Sequence, residues 1–240
     1  MARTLNDSLQ ISIVIPMHNE ASSIKSTIMD SIACLSHSVD VEIIVVDDGS
    51  TDGGGLIVSS IQTPNNVSLR LITRSTQGGL GSSLNTGLSH TTKPVLTWIP
   101  GDGEYKLSDV LPSLSEVRPN QIILTRRSSR GSMSRGLVSS LMHQMIKLLF
   151  RDDLKDFSGI FVVTKRDWEK IRPRSTSGFY NLDVAIISKS LNFQRRWISI
   201  TWYPRTAGSS SVFTLKVIFK SLLELVLLRI RIRKYKTRLN

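Results

Sequence analysis

Carboxylates stand at the ends of strongly apolar runs in this 240-residue chain. Ile13-Val14-Ile15-Pro16-Met17 stops at His18-Asn19-Glu20, and Val45-Val46 stops at Asp47-Asp48-Gly49-Ser50-Thr51-Asp52. A further pair, Asp102 and Glu104 in Pro100-Gly101-Asp102-Gly103-Glu104, follows the apolar residues 94–99, and Asp156 lies in Lys155-Asp156-Phe157-Ser158-Gly159. Acids two residues apart point the same way in extended backbone, and hard divalent cations take such oxygen ligands, typically one or two carboxylates with phosphates and water. The opposite charge is also concentrated. Arg126, Arg127, Arg130 and Arg135 fall in one Ser/Gly-rich stretch, and guanidinium groups bind phosphate oxygens in bidentate fashion.

These residues need a scaffold that brings them together. A parallel strand covered by helices on both faces reads as a continuous apolar run, and ligands sit beyond the carboxyl ends of such strands. Residues 11–17, 41–46, 69–73 and 94–99 are runs of this kind, and 122–125 is a further strand. A helix is expected from 19–23 to about 35, with Ile24, Ile28 and Ile32 four apart on one face. A weaker one covers 51–61, and glycines open another over 77–88. Strands alternating with helices imply a parallel sheet with right-handed crossovers. Pro16, His18, Glu20, Asp47, Asp48 and Asp52 should therefore converge on one site.

Beyond residue 125 the pattern changes. A basic loop over 126–135 leads to a Leu/Met-rich helix over 136–150, then to a segment over 154–163 that runs into a strand. A loop over 171–180, a helix over 182–191 and a strand over 197–203 follow, reaching Pro204-Arg205.

Bulk properties narrow the classes. No G-x-G-x-x-G follows the first strand, which argues against a dinucleotide fold. Length suits one α/β domain plus an appendage. The single Cys34 can form no internal disulfide, which suits a reducing compartment. Residues 1–10 are polar and the run after them is broken by Pro16, so no signal peptide is expected. The net charge of +12 attracts nucleic acid, anionic lipid or phosphorylated substrates. Its distribution favours a membrane surface: Arg229, Arg231, Arg233, Lys234, Lys236 and Arg238 follow or end the apolar stretch 212–228. Lys216, Lys220 and Glu224 are spaced four apart there, a narrow polar stripe on a helix. Three central charges argue against spanning. The helix is expected to lie in the interface, with packing on the domain or on a partner subunit as the alternative.

The segments I-P-x-x-N-E (Ile15, Pro16, Asn19, Glu20) and V-V-D-D-G-S-x-D (Val45 to Ser50, Asp52), one helix apart, resemble the family 2 glycosyltransferases. Within that family the chain looks most like the polyprenyl-phosphate (dolichol-phosphate type) sugar transferases. The resemblance implies an α/β, GT-A type nucleotide-sugar-binding domain over residues 1–211, followed by an amphipathic, basic membrane-surface helix over 212–240. By the same resemblance, Asp47 contacts the nucleobase or ribose, Asp48 lies near metal and phosphates, and Pro16, His18 and Glu20 line the base pocket. The family's D-x-D, often followed by Gln two residues later, is here Pro100, Asp102 and Glu104. Asp102 and Glu104 are the expected ligands of Mg²⁺ or Mn²⁺.

Asp156 is the expected catalytic carboxylate, deprotonating or orienting the acceptor. A phosphate acceptor, with its second pKa about 6, is already largely anionic, so orientation would be the main task. Arg126, Arg135 and Ser139 match the Arg, then Arg-x-x-x-Ser, that binds acceptor phosphate in the polyprenyl-phosphate branch. Arg205 opens a segment like R-x-x-G-x-S, which closes over the diphosphate. Arg127 and Arg130 are expected to be solvated. The plainer reading of the acids is that they cap turns and helices.

The implied activity is inverting transfer of a hexose from a nucleoside diphosphate sugar to a polyprenyl phosphate. It would take place in the cytoplasm, peripherally at the inner membrane face and without a nucleic acid partner. A polysaccharide, protein or soluble acceptor is the alternative within catalysis. A non-catalytic basic scaffold for RNA or membrane is the alternative outside it. An acidic cleft repels phosphates unless a metal intervenes, which argues against the scaffold.

Overall fold

In the computed structural model, residues 9–35, 39–128, 143–152, 154, 156, 159–176, 178–204 and 223–232 are described. The first half alternates strand and helix: β1 (Gln10–Met17), α1 (Ile24–Ala33), β2 (Asp40–Asp47), α2 (Gly54–Ser59), β3 (Val67–Thr73), α3 (Leu80–Ser89) and β4 (Val95–Trp98). A short 3-10 turn (Leu107–Asp109), α4 (Leu111–Glu116) and β5 (Gln121–Arg127) follow. After them come a helix over 143–150 (α5), β6 (Phe161–Thr164), α6 (Lys165–Ile171), α7 (Tyr180–Ser190), β7 (Gln194–Ile200) and a helix over 223–232 (α8).

The strands form one seven-stranded sheet in the order β3-β2-β1-β4-β6-β5-β7. Every described pairing is parallel except those of β6, which runs against both β4 and β5. The carboxyl ends of β1, β2, β3, β4, β5 and β7 therefore share one edge, and β6 starts there. Strand order reverses between β1 and β4, a switch point where α/β sheets bind ligands. Right-handed crossovers put α3 on the face opposite α1 and α2, because the β3-to-β4 connection returns across the sheet.

The apolar runs behave as buried parallel strands should. Ile11, Ile13, Val14 and Ile15 of β1 and Val41, Ile43, Ile44, Val45 and Val46 of β2 are fully buried. Helix α3 lies close on them because Gly87 has no side chain; a Cβ there would fall 2.4 Å from Val14 Cγ1 and 3.0 Å from Val46 Cγ2. On the α3 face, Trp168 of α6 stacks on Phe161 of β6 at 5.7 Å, and the Tyr180 hydroxyl of α7 donates to Asn85 Oδ1 of α3 at 2.9 Å.

Several elements differ from expectation. The helix expected over 51–61 is shorter, because Asp52 and Gly53 are spent on the turn before it, Gly53 being left-handed at φ 82°. The strand expected over 197–203 is Gln194–Ile200. Arg195 and Arg196 interrupt its apolar pattern, yet the strand holds them by pairing Arg195 with buried Asp152 (2.6 Å) and Arg196 with Glu116 (2.6 Å). Helix α6 was not anticipated, although its start carries a capping signal: Thr164 Oγ1 accepts the Asp167 N–H at 3.2 Å. Helix α8 is not a free appendage. Leu225, Leu228 and Ile232 are buried in the same core as the sheet, whereas Leu223, Val226, Leu227 and Ile230 remain exposed at helical spacing.

Candidate active site

The loops after β1 and β2 are tied to each other by their own polar side chains. Asn19, in the left-handed region at φ 56°, accepts the Thr51 N–H on Oδ1 at 2.9 Å, and its own N–H donates to Ser50 Oγ at 3.0 Å. Asp52 answers from the other loop, accepting the Ala21 N–H at 2.7 Å and the Gly54 N–H at 3.0 Å. The motif residues Asn19 and Asp52 are thus scaffolding, joining two loops whose backbones would otherwise be unpartnered. His18 Nδ1 lies 3.0 Å from the Asp48 carbonyl oxygen, which can only accept, so that nitrogen carries a proton; Nε2 faces Asn19 Nδ2 at 3.4 Å. Pro16 is buried, and its carbonyl accepts the Gly101 N–H at 3.1 Å, joining β1 to the loop after β4. Glu20 is partly exposed at the start of α1, with Ser23 Oγ 3.3 Å from its Oε2.

The two adjacent aspartates do different work. Asp47 Oδ1 accepts the Ser50 N–H at 2.9 Å, and Oδ2 looks onto Gly55, where a Cβ would come within 3.1 Å. Asp48 holds a different loop altogether. Its carboxylate accepts the Gly78 N–H at 3.0 Å and the Gly79 N–H at 2.7 Å, and Arg74 Nε approaches at 3.1 Å. Arg74 also reaches Ser82 Oγ at 2.5 Å and Thr86 Oγ1 at 3.3 Å on α3. Asp48 therefore sets the position of the Gly78-Gly79 loop. Arg74 went unnoticed in the sequence, though an arginine directly after a strand end and ahead of a glycine-rich loop was the available signal.

The loop after β4 places Asp102, which is buried, and Glu104, which is half-buried. Asp102 Oδ1 accepts the Glu104 N–H at 3.0 Å, closing a local turn. The Gly101 carbonyl before them accepts Ser23 Oγ at 2.9 Å and Thr27 Oγ1 at 3.3 Å, so α1 fixes the loop from behind. From the far side, the Tyr203 N–H donates to the Glu104 carbonyl at 3.0 Å, and Lys106 Nζ stands 4.9 Å over the Tyr203 ring.

Asp156 approaches from the segment ahead of β6. Its Oδ2 accepts the Arg127 backbone N–H at 3.1 Å and Arg127 Nε at 3.4 Å. Arg127, expected to be solvated, is instead this acid's partner, because it sits at the carboxyl end of β5 where the chain from α5 returns. Gly159 is fixed on both sides: Asn181 Nδ2 of α7 donates to its carbonyl, and a Cβ on it would strike Thr125. Tyr105 stands among these groups. Burial pushes its phenol well up; Arg127 opposes this, and Asp156, Glu104 and Asp102 add to it. One hydroxyl thus feels both the Asp102/Glu104 pair and the Asp156/Arg127 pair. Arg126, next to Arg127, is exposed and donates from Nε to Ser199 Oγ of β7 at 3.1 Å. Arg130, Arg135, Ser139 and Arg205 lie outside the described residues.

Among the described residues, no cluster of three or more His, Cys, Asp or Glu side chains could hold a metal. Asp102 and Glu104 are a pair of hard oxygen donors on one turn, the set that suits Mg²⁺ or Mn²⁺ sharing its remaining positions with phosphate oxygens and water.

Comparison with known proteins bears on this arrangement. The chain is 22% identical over 219 residues to a dolichyl-phosphate beta-glucosyltransferase of Dictyostelium discoideum, covering 82% of this chain and 67% of that one. It is 31% identical over 98 residues to an uncharacterized glycosyltransferase of Nostoc sp., covering 41% of this chain and spanning only 30% of the relative. Its fold matches a glucosyl-3-phosphoglycerate synthase of Mycobacterium tuberculosis, solved with Mn²⁺, uridine diphosphate and phosphoglyceric acid. The TM-score is 0.67 at 18% identity, over 92% of this chain and 78% of the other. A mannosyl-3-phosphoglycerate synthase of Rubrobacter xylanophilus matches at TM-score 0.66 and 18% identity, over 93% and 74% of the two chains. The sequence model of the family described as glycosyl transferase family 2 matches residues 12–175, which takes in both strand-end motifs, the loop of Asp102 and the segment of Asp156. This chain belongs to glycosyl transferase family 2.

Proposed function

We propose that the chain is an inverting, metal-dependent hexosyltransferase that takes the sugar of a nucleoside diphosphate sugar to the phosphate of a polyprenyl phosphate. It would act at the cytosolic face of a membrane. The observation that carries the catalytic reading is that the loops of Asp47 and Asp48 and of Asp102 and Glu104, with the Asp156–Arg127 pair, all stand at the carboxyl edge of one sheet. The lipid-phosphate acceptor is supported by the Dictyostelium relative and by the arginines at and after the end of β5.

In this reading Asp47, His18 and Pro16 receive the nucleoside, and the Gly78-Gly79 loop held by Asp48 flanks it. Asp102 and Glu104 would hold the divalent ion, whose charge, when bound, would offset that of the diphosphate. An acceptor phosphate oxygen attacks the anomeric carbon from the side opposite the diphosphate. The new carbon–oxygen bond forms as the bond to the nucleoside diphosphate breaks, and the configuration inverts. Asp156, steadied by Arg127, orients the acceptor. Arg126, Arg135 and Ser139 hold its phosphate, and Arg205 lies over the departing diphosphate. The exposed apolar stripe of α8, with Arg229 and the basic residues 233–238 after it, rests on anionic lipid.

A second reading is a soluble phosphorylated acceptor, supported by the phosphoglyceric acid in the fold neighbour from Mycobacterium tuberculosis. Purified protein given UDP-, GDP- and dTDP-sugars with Mn²⁺ or Mg²⁺, and either a short polyprenyl phosphate or phosphoglyceric acid, separates the two. The expected product is a glycosylated lipid phosphate whose formation stops with EDTA. Transfer to phosphoglyceric acid alone would replace the lipid acceptor with the second reading. Neither transfer nor donor hydrolysis with any pair would overturn the enzymatic assignment.

A further inference from the structure

The Gly78-Gly79 loop is held from two directions. Asp48 takes its amides from the sheet side. On its other side Gly79, left-handed at φ 86°, faces the Thr176 carbonyl, and a Cβ there would fall 2.9 Å from that oxygen. Only a glycine lets the segment around Thr176 lie this close. That segment is fixed through Ser175, which is buried. The Ser175 carbonyl accepts Asn85 Nδ2 of α3 at 3.3 Å, so the segment and the loop share one helix as a base.

Two further holds on Ser175 come from elements later in the chain. Its N–H donates to Asp183 Oδ2 of α7 at 3.2 Å, and its hydroxyl donates to Glu224 Oε2 of α8 at 3.4 Å. Leu225, Leu228 and Ile232 bury the helix beyond Glu224, so α8 presents that residue from an anchored position.

We infer that α8 is a positioning element of the donor site: Glu224 acts through Ser175, which Asp183 also holds from α7, to keep Thr176 against Gly79 and so set the loop that Asp48 grips. This rests on the reading of the Gly78-Gly79 loop as part of the donor site. It also joins the two faces of α8, since the outer apolar stripe proposed to rest on lipid and the inner residue that fixes the loop share one rigid helix. The helix is then part of the catalytic unit as well as an attachment device.

Hydrogen exchange on the full chain without ligand tests the link. In Glu224→Ala, amides of residues 74–81 should exchange about three- to tenfold faster, the factor that one hydrogen bond commands, while β1 and β2 keep their wild-type protection. Glu224→Gln keeps an oxygen that accepts the Ser175 hydroxyl and should restore slow exchange. Calorimetry with UDP and with GDP, each with Mn²⁺, should show nucleotide affinity lowered by a similar factor in Glu224→Ala and recovered in Glu224→Gln. Unchanged exchange at 74–81 in Glu224→Ala would overturn the inference. An equal rise across β1 and β2 would overturn it too, marking general loosening. The donor reading has its own check in Asp47→Ala: undiminished nucleotide affinity there would remove that reading while the exchange result still decides the mechanical link.

Discussion

Asp47 and Asp48 are neighbours and both are buried, yet only Asp48 has its carboxylate spent on the Gly78 and Gly79 amides and on Arg74. Asp48→Asn puts an amide NH₂ where an oxygen accepts, setting donor against donor in a buried place. The expected cost is about 2–4 kcal/mol of folding stability, read from the urea midpoint, with nucleotide binding lost alongside. Asp102→Asn keeps shape and removes a charged oxygen, so its signature is the reverse. Turnover should fall by about a hundredfold or more, in the range that losing one electrostatic stabiliser costs, with stability within about 1 kcal/mol of the parent. Near-normal activity at saturating Mn²⁺ and Mg²⁺ would show that Asp102 does not hold the ion. Donor and acceptor separate at two further residues. Arg135→Ala should weaken use of the lipid phosphate by about ten- to hundredfold and leave nucleotide affinity nearly intact, and Asp47→Ala should do the opposite. Equal loss of nucleotide binding in both would move Arg135 to the donor diphosphate.

Between elements, α7 carries a carboxyl in an unusual state. Burial pushes Asp183 from the ordinary 3.8 up to about 7; Arg231 and the Ser175 N–H oppose this, and Glu224 adds to it. The unfolded chain releases this proton near pH 4 and the folded chain keeps it to about 7. Asp183 therefore favours the fold at low pH, and that contribution is lost as pH rises through 7. Asp183→Asn removes the charge and keeps an oxygen for the Ser175 N–H. Above pH 7 it should stabilise the chain by on the order of 2–4 kcal/mol, shrinking toward zero as pH falls to 4. A gain that does not change with pH would rule out the buried charge as its cause. The contact of α3 with the sheet is as specific. Gly87→Ala forces a methyl against Val14 and Val46 and should cost about 1–3 kcal/mol in a denaturation midpoint.

For the whole molecule, the open question is what covers Leu223, Val226, Leu227 and Ile230 on α8. A second copy would bring another chain of net charge +12 against this one, which opposes self-association, whereas an anionic bilayer complements both the apolar stripe and the basic residues after it. No helix among the described residues is long and apolar enough to cross a membrane. Leu223→Ser with Ile230→Ser should lower recovery on anionic vesicles by about tenfold or more, given about 1.5–3 kcal/mol for each large apolar side chain buried, and leave the thermal midpoint unchanged. Raising the salt should weaken binding of the parent. Equal vesicle recovery for parent and variant would discard the membrane face.

The strand-end motifs were legible because their information is local. An apolar run long enough for a buried strand, broken by Asp47 or by His18 and Glu20, states both the strand and the edge at which its polar residues emerge. A parallel sheet then brings those edges together without further instruction. The arrangement of the later elements depended on contacts between distant residues. Reversed β6 between β4 and β5, Arg127 on Asp156, Arg195 on Asp152 and Asp48 on the Gly78-Gly79 amides all join positions 29 or more residues apart. Periodicity carries no term for such pairs. Arg127 looks like any solvated arginine until a neighbouring strand reverses and sets a carboxylate beside it. The same holds for α8: its composition gives an amphipathic helix, but which of its two apolar stripes is buried follows from the shape of the surface it meets.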